Sequence, residues 1–310
     1  MLLPGTPGAL SASFALLAAL LWGGGDFSGG MGVKAAGGSV RDALRLIVAA
    51  HAMSLVVLLL VLGVQHAAWP PTAPLLWGLA GGVTGALGLL AFYIALSQGA
   101  MGASAAISGL LAAAIPAAVS SFFEGAPGPL RIGGFLLASA AIWLIAAAPA
   151  PMGEPGSAPS PQAKRPLLLL ALGGGVGFGL YFVGLRFANT AGVVEPMAMA
   201  RVASLVTCLL LLGVLRPDAP DPSRSPALKR RWLGRDAWLW ALGVAILDTG
   251  GNLFYVAATR TGRLDASAVL ASLYPASTIL LAAMFLHERL AKTQVAGMVL
   301  AVVAVLLITR

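Results

Sequence analysis

Charged residues are scarce in this chain, and their scarcity excludes most classes of soluble protein. Only 10% of the 310 residues are Asp, Glu, Lys or Arg, whereas 59% are hydrophobic, and the mean hydropathy is +0.91. A soluble globular protein carries about 25% charged residues, because water must solvate its surface. We therefore expect the chain to be solvated by lipid, and no polar stretch is long enough to form a separate soluble domain.

Cysteine and histidine are almost absent as well. The single cysteine, Cys208, cannot form an intrachain disulfide, and one cysteine with three histidines gives no metal cluster. The signature motifs of serine hydrolases, zinc proteases and ATP-binding P-loops do not occur. We therefore expect no enzyme activity, no cofactor, no metal and no ATP-driven pump. Transport would have to be driven by an ion gradient, by exchange or by the solute's own gradient.

The net charge of +8 would suggest nucleic acid as a partner in a soluble protein. In a membrane protein, Lys and Arg collect instead in loops that face the cytoplasm and anionic lipid. The expected partners are therefore the lipid bilayer and a small-molecule substrate, with a proton as a candidate coupling ion and no nucleic acid. The sequence leaves open whether the protein is a monomer or a homodimer.

Apolar runs recur along the whole chain. A bilayer core about 30 Å thick is crossed by about 20 residues of helix, and lipid offers no partner for an unpaired amide. The sequence therefore predicts an all-α, multi-pass protein of the cell membrane with ten transmembrane helices. The predicted spans are residues 13–33, 43–63, 75–97, 100–122, 130–148, 166–187, 193–215, 236–259, 265–287 and 293–309.

An internal duplication relates the two halves of the chain. At an offset of 164 residues, Ser108 corresponds to Ser272 and Glu124 to Glu288. A repeat of five helices is odd in number, so the two copies must cross the membrane in opposite senses, as in alternating-access carriers. The predicted organisation is a repeat at 14–148, a linker rich in Pro, Gly and Ser at 149–165, and a second repeat at 166–309.

Several short motifs resemble those of a known family. They are Leu21-Trp22-Gly23, the Phe-Tyr-x-Ala at the end of the third span, Leu273-Tyr274-Pro275, and the Glu that ends the fourth and ninth spans. Together they resemble the EamA type of the drug/metabolite transporter superfamily over essentially the whole chain. The resemblance implies a ten-helix carrier that moves small metabolites, amino acids or drugs, often outward. The first half departs from the pattern, because Leu111 stands where the second half has Pro275.

Two acidic residues in the middle of spans are candidates for a solute site. A charge at the bilayer centre costs at least about 2.5–3.5 kcal/mol, so it usually faces a cavity or a partner. Asp248 has Asn252 four residues on and Tyr255 at i+7, which puts the three on one helical face. Asp26 follows three glycines in the first span. Either acid could instead be a buried group that a neighbouring helix satisfies.

Aromatic residues complete the predicted site. We expect Asp26, Asp248, Asn252 and Tyr255 to face a central cavity, with Trp22, Tyr93 and Tyr274 near it. Each aromatic alone is more often a packing or membrane-interface residue.

Other polar residues in spans favour structural roles. Arg201 corresponds by position to Arg45, and this repetition favours an anchor at the membrane interface for both. A lone histidine such as His51 is more often packed than functional. Glu124 and Glu288 stand at the ends of spans, where helix-end hydrogen bonding is the simplest role.

Three functional classes remain open. A secondary transporter for a small polar or amphipathic solute fits the inverted repeat best. A membrane enzyme or flippase for a lipid-linked substrate would use the carboxylates to bind a head group, and a channel is the third class.

The distribution of Lys and Arg predicts the orientation. Thirteen of these residues lie in or next to the loops that follow spans 1, 5, 7 and 9, on one side of the membrane. Five lie on the opposite side of the membrane. Short loops rich in Lys and Arg stay cytoplasmic. We therefore predict that both termini are outside the cell and that the Arg216–Arg235 loop is inside.

Overall fold

The computed structural model describes residues 7–66, 70–97, 101–146, 161–215, 232–285 and 291–309. Within these ranges the regular structure is all helical, which confirms the prediction of an all-α protein for this part of the chain. One 3₁₀ turn covers Asn189–Ala191. The helices are α1 (Pro7–Ala36), α2 (Val40–Val64), α3 (Thr72–Ser97), α4 (Met101–Phe123), α5 (Pro129–Ala146), α6 (Pro161–Ala188), α7 (Val194–Val214), α8 (Arg235–Thr261), α9 (Leu264–Ala271), α10 (Tyr274–Phe285) and α11 (Lys292–Ile308).

Most of these helices can cross a membrane. Seven helical segments of the described chain are long and apolar enough: α1, α2, α3, α6, α7, α8 and the segment that contains α9 and α10. Three shorter apolar helices, in α4, α5 and α11, occupy the other three predicted positions. Large apolar side chains point outward, as at Leu60 and Leu210, which are both 65% exposed. Such a surface requires lipid around it, so the protein is a multi-pass membrane protein.

Local sequence signals set the join between α1 and α2. Gly37 and Gly38 have positive φ, and the Gly38 amide donates to the Val33 carbonyl at 2.9 Å, which ends α1 in a Schellman turn. Ser39 then caps α2, because its side chain accepts from the Asp42 amide while Asp42 accepts from the Ser39 amide. These bonds satisfy backbone groups that both helix ends would leave unpaired.

The predicted ninth span is broken into two helices. α9 ends at Ala271 and α10 begins at Tyr274, with Pro275 as its second residue. Proline lacks the amide hydrogen that a continuous helix would need, and it is favoured in a first helical turn. The prediction of one continuous helix over 265–287 was therefore wrong at this point. The first half has Leu111 at the equivalent position, and α4 continues through it.

The other boundaries differ by a few residues. α1 begins at Pro7 and extends beyond the predicted 13–33 at both ends. α6 begins at Pro161, so helix extends into the last residues of the predicted linker. The remainder of the linker, like Glu288, lies outside the described residues.

The most extensive helix packing joins the two halves of the chain. α1 packs on α8, and α3 packs on α6. α2 packs on α7, and α5 on α11. In the predicted duplication α1 corresponds to α6 and α3 to α8. The contact of α1 with α8 therefore corresponds to the contact of α6 with α3.

Glycines allow the closest of these approaches. A Cβ atom on Gly177 of α6 would lie 2.6 Å from the Gly88 Cα of α3, and one on Gly184 would lie 2.9 Å from the Gly81 Cα. The two backbones are therefore in direct contact, which is a typical way for helices to associate in lipid.

Candidate functional site

A cavity lies between the two halves of the chain. Helices α1, α2 and α3 of the first half and α6, α7, α8 and α10 of the second half line it. Its lining residues are Trp22, Asp26, His51, Gly82, Gly85, Ala86, Leu89, Phe178, Tyr181, Phe182, Ala200, Arg201, Ser204, Asp248, Asn252 and Tyr274.

Arg201 on α7 is the centre of the polar lining, and it is only 3% exposed. Its guanidinium forms an ion pair with the carboxylate of Asp248 on α8. Its Nε donates to Ser54 Oγ on α2 at 3.0 Å, and Nη2 lies 3.4 Å from Thr249 Oγ1. A buried charge needs such partners, because removal from water is costly. The network joins α7 to one helix of each half.

His51 on α2 extends this network. Its Nε2 lies 2.9 Å from Arg201 Nη1, and its Nδ1 lies 2.7 Å from Ser204 Oγ. A guanidinium only donates hydrogen bonds, so Nε2 must be the acceptor. The ring proton is then on Nδ1, from which it is donated to Ser204. In this arrangement His51 is neutral, and it adds no charge to the cavity.

Asp26 places a second carboxylate in the cavity. α1 and α8 approach closely here, because a Cβ atom on Gly25 would lie 3.3 Å from the Asp248 amide nitrogen. Asp26 interacts electrostatically with Asp248, Tyr93 and Tyr274. Within the described part of the chain, no cationic side chain forms an ion pair with it. The cavity therefore has two carboxylates and one guanidinium.

Two buried polar atoms of the lining have no hydrogen-bond partner among the described residues: Asn252 Oδ1 and the Tyr274 hydroxyl. Asn252 is 1% exposed and Tyr274 is 3% exposed. The other amide atom of Asn252 lies 2.7 Å from the Asp248 carbonyl oxygen, which only accepts, so that atom must be the nitrogen. An unpaired buried polar atom costs about 1–3 kcal/mol. A solute that hydrogen-bonds to these two atoms would remove that cost.

Aromatic rings form one wall of the cavity. The rings of Trp22 and Phe182 stack at 4.7 Å with an interplanar angle of 5°. Tyr255 lies against both, 5.5 Å from Trp22 and 4.6 Å from Phe182. The stack holds a flat apolar surface in place between α1 and α6.

The structure brings five of the seven sequence-predicted site residues to the cavity. Trp22, Asp26, Asp248, Asn252 and Tyr274 line it. The other two do not. Tyr93 and Tyr255 are at most 1% exposed and do not line the cavity. Tyr255 instead packs behind the aromatic wall and supports it.

Arg201 and His51 are functional candidates that sequence reasoning assigned to other roles. The prediction of an interface anchor at Arg201 was wrong, since its guanidinium is buried in the cavity, and the prediction of a packed His51 was incomplete. Arg45, which prompted the comparison, pairs with Asp42 at 3.1 Å in the first turn of α2 and keeps 24% of its side chain exposed. The charge of Arg201 inside a span was the signal that could have identified it.

Glu124 has the helix-end role that its position indicated. Its Oε1 pairs with Arg186 Nη2 at 3.2 Å, and its Oε2 accepts from Ser120 and from the Leu264 amide. Arg263 donates to the Glu124 carbonyl and to Asp265, and its hydrogen bonds to the Asp265 carboxylate raise the pKa of Arg263. These bonds join the two halves at the end of the molecule where α4, α6 and α8 end.

Comparisons with known proteins find a family match for the second half of the chain and a structure with the same fold. The sequence model of the EamA-like transporter family matches residues 165–310. A protein of known crystal structure has the same fold, with a TM-score of 0.68, 17% identity, and coverage of 96% of this chain and 95% of that one. No curated protein matches this chain. The family match confirms the resemblance for the half of the chain that it covers.

Proposed function

Residues 165–310 belong to the EamA-like transporter family of the drug/metabolite transporter superfamily, and on this basis we propose that the whole chain is a secondary transporter for a small solute. The observation that carries the proposal is the charged network of Arg201, Asp248 and Asp26 in a cavity between the halves. A purely structural core would be more stable with apolar residues at these positions. Buried ionisable groups in membrane proteins typically mark solute or ion pathways.

The proposed architecture is ten transmembrane helices in two inverted five-helix repeats. The packing supports it, because the contact of α1 with α8 has its counterpart in the contact of α6 with α3. Similarly, α4 packs on α6 as α10 packs on α1. Such exchange of partners is expected of a two-fold relation between repeats, and an odd number of helices per repeat inverts the second copy.

The proposed solute site comprises Trp22, Asp26, Asp248, Asn252 and Tyr274, with Arg201 as the cation that holds Asp248. Tyr93 and Tyr255 support this site from outside the lining. A proton is the proposed coupling ion, with Asp26 as its acceptor, because this carboxylate has no ion-pair partner in the described chain. The groups that face it are Asp248, Tyr93 and Tyr274.

Counterflow in proteoliposomes tests the transport function. A screen of metabolites for a rise in melting temperature would first identify a ligand, since binding stabilises the native state. A carrier exchanges labelled for unlabelled solute across the vesicle membrane, and we expect an imposed pH gradient to drive its accumulation. An efflux rate of labelled solute that does not change when unlabelled solute is added on the other side would indicate a channel. Chemical conversion of a lipid-linked ligand, without exchange, would indicate an enzyme.

The predicted orientation has its own test. A cysteine at Ser225, in a chain with Cys208 replaced, is expected to resist an impermeant thiol reagent applied to intact cells. Ser225 lies outside the described residues, but its loop contains five Lys and Arg between Arg216 and Arg231. The matched control is the same thiol after the cells are opened, when labelling should be rapid. Rapid labelling of intact cells would instead place this loop outside and both termini inside.

A further inference from the structure

The lining of the cavity contains hydrogen-bond acceptors that no donor of the described residues uses. Arg201 is the cation of the lining, and its guanidinium already donates to Ser54, His51 and Asp248. Asn252 Oδ1 accepts hydrogen bonds only, and it has no donor among the described residues. The Asp26 carboxylate likewise accepts, and it has no cationic partner in the described chain. A solute that fits these groups must bring N–H or O–H donors.

The charge of the cavity lining sets a second requirement for the solute. Once Asp26 has released the coupling proton, the two carboxylates exceed the one guanidinium by one negative charge, and neutral His51 does not change the balance. A solute with one positive charge would neutralise the cavity. A carboxylate on the solute would be repelled by Asp26 and Asp248, and Arg201 could meet it only by releasing Asp248.

The aromatic wall of the cavity sets a third requirement for the solute, which is a flat apolar body. Trp22 and Phe182 offer a flat apolar face whose π system attracts a nearby cation. Tyr274 stands at the break between α9 and α10, and its buried hydroxyl has no partner in the described structure. The lining therefore combines a flat wall with three polar groups that can each accept a hydrogen bond.

We propose that the solute is a primary amine without a carboxylate, whose ammonium group donates to Asp26, Asn252 Oδ1 and the Tyr274 hydroxyl while a flat apolar body lies on the wall of Trp22. This inference rests on the proposed transport function and names the substrate class of the same site. An alkylammonium has three N–H donors, which match the three groups, and it stays protonated at neutral pH as lysine does. A quaternary ammonium has the same charge but no N–H donor, so it would leave Asn252 Oδ1 and the Tyr274 hydroxyl unpaired.

Three probes that share one ring separate these requirements. They are 2-phenylethylamine, its N,N,N-trimethyl derivative, and phenylalanine, which adds a carboxylate to the amine. Calorimetry on the purified full-length chain should give the amine a Kd at least about tenfold lower than either of the others, because charge-assisted hydrogen bonds are lost or a like charge is added. Equal affinity for the trimethyl derivative, or tighter binding of phenylalanine, would overturn the proposal.

Two variants that each remove one hydroxyl test the site itself. Tyr274→Phe removes a hydroxyl from the lining and should weaken the amine about threefold to tenfold, with no change for the trimethyl derivative. Ser139→Ala removes a hydroxyl of α5 that donates to the Phe135 carbonyl and lies outside the lining, so binding of both probes should stay within twofold. Equal effects of the two variants on the amine would contradict the proposed contact.

The outcomes also distinguish this inference from the transport function. If none of the amines binds but another solute shows counterflow, the substrate class is wrong and the transporter stands. If the amine binds as expected but neither it nor any solute from the screen is exchanged, the ligand class stands and the transport function is wrong.

Discussion

Replacing Asp248 with Asn is expected to lower counterflow at least about 100-fold. The substitution keeps the shape of the side chain but removes the charge that pairs with Arg201, whose side chain is only 4% exposed. A buried guanidinium without its partner costs about 3–5 kcal/mol, so the helices around the cavity should also rearrange. The measurement is the initial rate of exchange of the solute that the screen identifies.

Two control variants separate loss of function from loss of folding. Asp236→Asn makes the same change in the exposed first turn of the same helix, and it should leave exchange and melting temperature unaltered. Asp248→Asn combined with Arg201→Gln removes both charges, so it should recover much of the melting temperature without recovering transport. Normal exchange by Asp248→Asn alone would show that this carboxylate has no part in transport.

Replacing Gly177 with Ala is expected to destabilise the contact between the two halves by about 1–3 kcal/mol. The added methyl group would lie 2.6 Å from the Gly88 Cα and 2.7 Å from the Thr84 carbonyl oxygen. Both are backbone atoms and cannot rotate away as a side chain would. α3 and α6 must therefore separate, and the purified protein should melt at a lower temperature.

The same substitution one turn earlier provides the control. A Cβ atom on Gly173 would meet no atom within 4 Å, although Gly173 lies on the same helix. Gly173→Ala should therefore leave the melting temperature unchanged or raise it slightly, because alanine favours the helix. If both variants melt at the same temperature, the close contact of α3 and α6 does not contribute to stability.

Much of the fold could be predicted because a chain in lipid has few ways to satisfy its backbone hydrogen bonds. Lipid offers no hydrogen-bond partner to a backbone amide, so each span must be a helix that satisfies its own amides. The approximate positions of these helices follow from the runs of apolar residues. The break before Pro275 was missed, since a proline within a long apolar run does not by itself distinguish a kinked helix from two short ones. That distinction depends on which neighbours satisfy the backbone groups that the proline frees.

Five of the residues that line the cavity were predicted to face it or to lie near it, and the misplaced residues have one physical origin. Asp26 and Asp248 could be found because an acid in the middle of a span has few roles. The directions of Tyr93, Tyr255 and Arg201 depend on the rotation of each helix about its axis, which the contact with a helix from the other half decides. For Arg201, the repeat suggested the environment of Arg45, but the two arginines have different partners: Asp248 in the cavity and Asp42 at a helix start.

The packing of α1 on α8 has a consequence for how the protein is made. A ribosome adds about 5–20 residues each second, so α8 enters the membrane tens of seconds after α1. During that interval α1, with Asp26 in it, lacks the neighbour against which it finally packs. A shorter delay separates α2 from α7, and the delay between α3 and α6 is shorter still. The first half must therefore be held by the insertion machinery, or wait as separate helices in the bilayer, until the second half is synthesised.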